Sequence, residues 1–568
     1  MKKNKNMQFL NSFAKVHNKQ IALLCILSSI SSLAYIALAF FSKSVLELAT
    51  SKQLQQLSLQ FVWCAIPLIA ILVCDSLSSC ISTKTSSLFN NSLTNSTWKT
   101  LLAKDYSSVY SMHSGDIFNR ITNDIDTIAN NYINFLPSIF SSSIRILCGL
   151  TAIFVIDYAF GLICVACGFV IAMLVSFTRK YYKTAQKRCL TARASENSFL
   201  QESIENIDSV KTLPRKDALT NLLDGYLKEN NSAKINRNAI LVTVNAIVFL
   251  AFNISFYCAI IFGAFRLVEN VEYIGSLFAL VQLLQLIKSP FGSIINVIPN
   301  LISLFASVER VKLIYDLPQE KNNVCDCDGF KKLQLDNISF NYGETNLLNN
   351  LSFDVNAGEK IAVVGASGKG KSTLAKILVG LLSPADGKIK YTAADGKTFD
   401  FLPQNVTAYA PQNNFIFSGS IRDNLLLANP SATQTQLERA CAVACVDEFV
   451  DALELKLDTQ IGEKGYGLSQ GQIQRVSLAR ALVADKDILI LDEVTSSLDK
   501  STEKKVWDNL FSLDNKTIIF ITHATQFTAC CDKIINIEQY NAKNITSQLI
   551  FLLICYIIIA YLLQIATR

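Results

Sequence analysis

Two clusters in the second half of the chain have the residue types and spacing that phosphate chemistry needs. Gly365, Ala366, Ser367, Gly368, Lys369, Gly370, Lys371, Ser372 and Thr373 follow the apolar run Ile361–Val364 and lead into a helix-forming stretch, Thr373–Leu381. The glycines let successive backbone N–H groups turn towards one anion, and a helix opening there adds the positive end of its dipole. In that strand, loop and helix setting Lys371 is placed to reach the β- and γ-phosphates of a nucleotide, and Ser372 to take Mg2+. The second cluster, Asp492 and Glu493, ends the apolar run Ile488–Leu491. Asp492 suits the Mg2+ shell and Glu493 the polarisation of an attacking water, because metal ions and fixed charges carry most of phosphoryl transfer. An Asp-Glu pair after a strand is a weak signal alone and a strong one beside a phosphate loop.

The elements that must hold these residues are readable too. Ile338–Phe340, Lys360–Val364, Ile488–Leu491 and Thr517–Ile521 read as short strands alternating with helical stretches. That pattern predicts an α/β domain with a parallel sheet, a P-loop NTPase domain. It begins after a break at Asp316-Leu-Pro318 and a polar stretch to residue 332, so its expected limits are 316–540.

The first 315 residues are of another kind. Of the 568 residues half are hydrophobic, and only 17% are charged, against about 25% in an average soluble chain. The composition excludes a purely soluble, disordered or collagen-like protein, and a net charge of +6 over 98 charged residues is no nucleic-acid footprint. Ile21–Phe41, Gln53–Cys74, Ala159–Thr178 and Asn238–Phe265 carry no charge, Ile133–Ile156 carries only Arg145, and Tyr273–Val308 is apolar but for Lys288. About 20 apolar residues span a bilayer as a helix, so six transmembrane helices are expected. Lys2, Lys3, Lys5, Lys15 and Lys19, and the basic segment 179–237, place the N-terminus and the long loops 81–132 and 179–237 in the cytoplasm. The chain is thus expected to be a multi-pass protein of the cytoplasmic membrane with its α/β domain inside the cell.

With both halves in view, the chain resembles the ATP-binding cassette (ABC) transporters of the exporter type. Leu468-Ser-Gln-Gly-Gln472 resembles that family's LSGGQ signature, with Gln470 in place of its first glycine. Ser469 and Gly471, which the family uses to cap the γ-phosphate of nucleotide on the opposite subunit, are kept, as is Gln472. Gln412 resembles the glutamine that senses Mg2+, Asp499 the loop after the catalytic strand, and His523 the residue that holds the γ-phosphate. Tyr342 resembles the aromatic residue that stacks on adenine, and Gly462-Glu463-Lys464-Gly465 a short loop found before the signature in exporters. In the membrane half, 115–126 and 201–211 resemble the two intracellular loops and Ser307–Arg310 the exit from the sixth span.

The resemblance covers roughly residues 15–538, with no peptidase domain before the first span. It implies ATP and Mg2+ as cofactors and a second half-transporter as partner, either a second copy or a sister chain. Its implied function is ATP-driven export or flipping of an amphiphilic small molecule, lipid or peptide, with ATP hydrolysed at the dimer interface. An importer of metal chelates on the same scaffold and a membrane ATPase coupled to signalling are the alternatives.

The pattern breaks at 541–568. Leu549–Leu563 is a run of fifteen apolar residues, open to three readings: a seventh span, an interfacial segment, or a replaced tail. Arg145, Lys288 and Asp75 sit in or beside spans. They suggest a polar, partly cationic cavity for an anionic amphiphile, against which stands simple structural pairing. The sixteen cysteines, Cys164 and Cys167 with their CxxC spacing included, read as thiols of a reducing cytoplasm rather than metal ligands.

Overall fold

The computed structural model describes residues 7–540, except 11, 14, 113, 215, 270–272, 321–326, 328, 343–344, 463–464, 466 and 524. The tail 541–568, Glu463, Lys464 and Cys325 lie outside the described residues. The chain forms two units, one of residues up to Lys104 with Ser108–Pro318, the other of Gln319 onward together with Asp105–Ser107.

The first unit is built on six long helices: α1 (Asn18–Thr50), α2 (Leu54–Leu102), α3 (Ile125–Ile156), α4 (Tyr158–Glu205), α5 (Lys216–Glu269) and α6 (Tyr273–Asp316). Each contains one of the six apolar segments. Among the described residues, four helical stretches are long and apolar enough to cross a membrane: 15–50, 55–102, 114–156 and 216–268. The apolar part of α4 is the shorter Tyr158–Val170. At 1.5 Å per residue the 49 residues of α2 run about 73 Å, more than twice a hydrocarbon core of about 30 Å. The loops expected at 81–132 and 179–237 are therefore largely continuations of these helices.

Polar pairs at regular spacing fix how α2 meets α3. Ser82 donates to Asn134 Oδ1 (2.5 Å), Ser86 to Asn130 Oδ1 (2.7 Å) and Asn90 to Asp126 Oδ1 (3.3 Å). The partners step four residues at a time on both helices, one turn each, so the seam follows one face of each helix. Higher up, Ser31 on α1 donates to Asp75 Oδ1 (2.6 Å), the Tyr35 hydroxyl to Asp75 Oδ2 (3.5 Å), and Arg145 Nε to Ser32 Oγ (3.2 Å). The Arg145 guanidinium lies 5.0 Å from the centre of the Tyr35 ring, and Lys288 Nζ 4.9 Å from that of Phe249. Arg145 and Asp75 thus both touch Tyr35, one over its ring and the other at its hydroxyl, and Lys288 rests on an aromatic face.

The sharpest lock in this unit surrounds Asp124, which is 6% exposed at the end of a π-helical turn, Arg120–Asp124. Arg310 on α6 forks its carboxylate, with Nε at 2.7 Å from Oδ2 and Nη2 on Oδ1, and Ser307 donates to Oδ1 at 2.8 Å. Arg120, also buried, binds Asp116 at 2.6 Å and the Arg310 carbonyl at 3.1 Å. At the opposite ends of the helices, Asp157 caps α4 through the Phe160 N–H (3.1 Å) and accepts from the Tyr273 hydroxyl (3.0 Å).

The second unit carries three sheets, the smallest a two-stranded pairing of Gly419–Ser420 with Gln460–Ile461. Strands β1 (Phe330–Tyr342), β2 (Thr345–Asn356), β4 (Asp386–Ala393) and β5 (Thr398–Phe399) form an antiparallel sheet in the order β2-β1-β4-β5. Strands β3 (Lys360–Val364), β6 (Thr407–Ala410), β7 (Ile488–Asp492), β8 (Thr517–Ile521) and β9 (Lys533–Asn536) form the parallel sheet, ordered β9-β3-β8-β7-β6. Strands β7 and β8 are buried along their whole length, as continuous apolar runs in a sheet covered on both faces should be. Helices α7 (Lys371–Leu378), α8 (Gln470–Val483) and α9 (Lys500–Phe511) belong to this unit.

One cysteine departs from the expectation of free thiols. Cys327 is disulfide-bonded, its partner outside the described residues. Thirteen other cysteines are free, and among the described residues no three His, Cys, Asp or Glu side chains gather as a metal cluster.

Removing Arg310 leaves a buried carboxylate uncompensated, whereas neutralising Asp124 leaves a half-exposed guanidinium that water can reach. Arg310→Ala should destabilise the first unit by about 3 kcal/mol and Asp124→Asn by clearly less. Thermal unfolding of the two variants in detergent measures the difference.

Candidate nucleotide site

The phosphate loop lies between β3 and α7, with residues 366–369 exposed and Gly370, Lys371 and Thr373 buried. The helix begins at Lys371, two residues before the expected start. Gly368 and Gly370 sit at φ +77° and +93°, conformations open to glycine at little steric cost. A Cβ on Gly370 would stand 3.0 Å from Leu348 and 3.3 Å from the Leu347 carbonyl, so this glycine also admits β2. Lys371 Nζ donates to the Gly365 (2.8 Å) and Ala366 (3.1 Å) carbonyls and lies 3.0 Å from His523 Nε2. Burial lowers the Lys371 pKa, against the opposing pull of Glu493 and Asp492.

Glu493 stands at the centre. The carboxyl end of β7 lies between β8 and β6, and open α/β sheets bind ligands at that edge. Gln412 Nε2 donates to one carboxylate oxygen of Glu493 at 2.7 Å, and His523 Nε2 lies 3.1 Å from the other. Lys371, His523, Glu493 and Gln412 thus form one chain of contacts, although the sequence spreads them over 152 positions between Lys371 and His523 alone.

Asp492 is 1% exposed, and burial pushes its carboxyl above the ordinary value despite a bond from the Ser372 hydroxyl. Its Oδ2 accepts from Tyr409 at 3.4 Å, while Oδ1 is buried with no hydrogen-bond partner. A buried carboxylate oxygen with an open valence beside a serine hydroxyl suits a hard cation bound by oxygen. Mg2+ is usually held by one or two carboxylates plus the phosphates of its substrate, so these residues suit it.

The signature residues have visible local work. Ser469 caps α8 by accepting from the Gln472 N–H (3.3 Å), and Gln472 Oε1 accepts from the Ser469 N–H (2.8 Å). This is a reciprocal capping box. A Cβ on Gly471 would lie 3.0 Å from the Ser497 carbonyl, which explains a glycine there. Gln470 is exposed, and its substitution for glycine meets no obstacle. Asp499 caps α9 through the Ser501 (3.1 Å) and Thr502 (3.0 Å) N–H groups. Bonds from the Ser501 hydroxyl and from Thr502 hold its carboxyl well below the usual range. Tyr342 is half exposed at the β1 end of the β1–β2 hairpin, its ring edge-on to Phe340. Among the described residues, no hydrogen bond joins Ser469 or Gly471 to the phosphate loop.

Sequence reasoning missed Gln474. It is 1% exposed, donates to the Glu493 carbonyl (2.7 Å) and Ser496 Oγ (3.2 Å), and accepts from the Ser497 N–H (2.9 Å). It ties α8 to the catalytic strand end and to the loop before α9. No local signal flags it, because Gln472, Arg475 and Ser477 beside it are polar too. Gln474→Leu leaves the Ser497 N–H and the Glu493 carbonyl without partners. It should cost about 2–4 kcal/mol of stability in this unit and lower ATP turnover, read by thermal melting and phosphate release.

Family models agree with both halves. The ABC transporter transmembrane region matches residues 21–291 and the ABC transporter ATP-binding model residues 348–496. The chain is 32% identical over 438 residues to the lactococcin transport/processing ATP-binding protein LcnC-like of Lactococcus lactis subsp. lactis (strain IL1403). That match covers 74% of this chain and 60% of the relative. It is 31% identical over 375 residues to the transport/processing ATP-binding protein ComA of Streptococcus pneumoniae (strain ATCC BAA-255 / R6), over 63% of this chain and 51% of that protein. The chain therefore spans between half and two thirds of the length of these relatives. A solved structure of a bacterial Atm1-family ABC exporter with ATP bound has the same fold, with a TM-score of 0.79 and 20% identity over 92% of this chain and 94% of that one. With a membrane region and an ATP-binding cassette fused in one polypeptide, the chain belongs to the ABC transporter family.

Proposed function

We propose that the chain is one half of an exporter that hydrolyses ATP to move an amphiphilic substrate out across the cytoplasmic membrane. The observation that carries this reading is the set of contacts centred on Glu493, fused to long apolar helices. Gln412 and His523 grip the two oxygens of one carboxylate. That geometry holds Glu493 where it can orient a water and accept its proton as the γ-phosphate leaves. Lys371, now bonded to its own loop carbonyls, would turn to the phosphates when nucleotide displaces those bonds. Ser372, Asp492 and Gln412 would hold Mg2+, which neutralises charge on the phosphate oxygens. Tyr342, exposed on its hairpin, is available to stack on the base.

Among the described residues, Ser469 and Gly471 make no hydrogen bond to the phosphate loop of their own chain, which favours their use by a partner. Two copies would enclose two ATP molecules, each between the phosphate loop of one and the start of α8 of the other. Closure and reopening of that pair would drive the membrane helices. A peptide is the favoured substrate class, because the relatives named for transport and processing of lactococcin supply that chemistry.

Purified protein in lipid should hydrolyse ATP, and Glu493→Gln should lower kcat at least about 100-fold while ATP still binds. Loss of ATP binding together with turnover in Glu493→Gln would count against the role given to that carboxylate.

A further inference from the structure

The last strand of the parallel sheet, β9, lies beside β3, the strand that feeds the phosphate loop. Asn536 pairs with Val364, so the chain leaving β9 runs next to the chain leaving β3. Two residues on, Glu538 accepts a hydrogen bond from the Ala366 N–H in the first turn of the loop, at 2.6 Å from N to Oε1. The segment that presents this carboxylate is fixed on both sides. The Glu538 N–H donates to Asn536 Oδ1 (3.0 Å), and the Tyr540 hydroxyl donates to the Ser352 carbonyl (2.9 Å). A Cβ on Gly365 would stand 3.7 Å from Ile537 and 3.9 Å from Glu538, so segment and loop are in van der Waals range. Glu538 also acts electrostatically on Lys371.

A role for this contact in nucleotide binding rests on the loop being the ATP site. Residues 366–369 are exposed, and three glycines in the loop, Gly365, Gly368 and Gly370, hold positive φ. Ordering such a segment around a ligand costs conformational entropy, glycine most of all. A charge-assisted bond to its first turn removes part of that cost before the ligand arrives. We propose that Glu538 is a positioning residue for nucleotide binding, its carboxylate anchoring the phosphate loop through the Ala366 N–H. A negative charge this close to an anion site also repels the ligand, so anchoring and repulsion push ATP affinity in opposite directions. The bond is short and direct, whereas the repulsion is offset by Lys371 and weakened by water around an exposed side chain. Anchoring therefore prevails.

The test uses the full chain in lipid, with ATP as the probe. Equilibrium ATP affinity, measured by displacement of a fluorescent ATP analogue, is read beside KM and kcat. Glu538→Ala should weaken ATP binding and raise KM roughly threefold to tenfold, with kcat at saturating ATP little changed. Glu538→Gln keeps an acceptor oxygen at the same reach and should recover most of the affinity. Glu538→Asp, one methylene short, should behave like Glu538→Ala. If Glu538→Ala fails to fold, the contrast between Gln and Asp carries the same information. Unchanged or tighter ATP binding in the Ala or Asp variant would overturn the proposal. So would a fall in kcat at constant KM, or a Gln variant as weak as Ala. Wild-type protein that binds no ATP would instead defeat the reading of the site itself, and absence of transport alone would leave the result standing.

Discussion

Glu493 is held in a backbone conformation that its side chain does not favour. Its φ is +52°, in the left-handed region that costs an ordinary residue roughly 1 kcal/mol or more. Two bonds keep it there. Its N–H donates to the Ile521 carbonyl at 2.8 Å, continuing the β7–β8 pairing past its last pair, and its carbonyl accepts from Gln474 at 2.7 Å. The turn aims the carboxylate at Gln412 and His523, while Asp492, one residue earlier, remains buried at the strand end. A regular extension of the strand would send neighbouring side chains to opposite faces. Strain in one peptide unit thus gives two adjacent carboxylates different surroundings, Asp492 buried at the strand end and Glu493 between Gln412 and His523. The surrounding sheet fixes it, with β7 and β8 fully buried and their register set by five consecutive pairs.

The membrane unit meets a related constraint by a different route. Beyond its apolar segments, α2 meets α3 through polar side chains. Serine, asparagine and aspartate pairs at one-turn spacing join the two helices. Each such bond contributes little, about 1 kcal/mol, so their value lies in fixing which faces meet. Asp124 is the exception in strength. A buried carboxylate forked by Arg310 ties the helical turn before α3 to α6, the helix that leads out of this unit. A buried pair of this kind is weak evidence for stability but good evidence for a fixed register.

The sequence was most legible where chemistry is contiguous. Nine neighbouring residues define the phosphate loop, and Asp492 with Glu493 needs only an apolar run before it. Singling out Gln412 and His523 required the family resemblance, because each is an ordinary residue until the fold brings it to Glu493. Gln474 and Glu538 were not found, for one physical reason. Their partners lie 19–23 and 172 positions away, and no local periodicity encodes such contacts. Composition located six apolar segments but understated their helices, since the hydropathy falls while α2 and α5 continue. The α2–α3 seam was hidden as well, because serine and asparagine at four-residue spacing read equally as a solvated face.

In the proposed exporter a second chain would complete the site, the phosphate loop of one copy working with the signature helix of the other. Two variants that each disable both sites of a homodimer test it: Lys371→Ala in the loop, and Ser469→Arg at the start of α8. Each alone should be inactive in lipid. Co-reconstituted, with mixed dimers verified by differential tags, they should recover ATP hydrolysis, because a mixed dimer contains one site built entirely of intact residues. Mixed dimers as inactive as either variant, beside an active wild-type chain, would contradict a site shared across two copies.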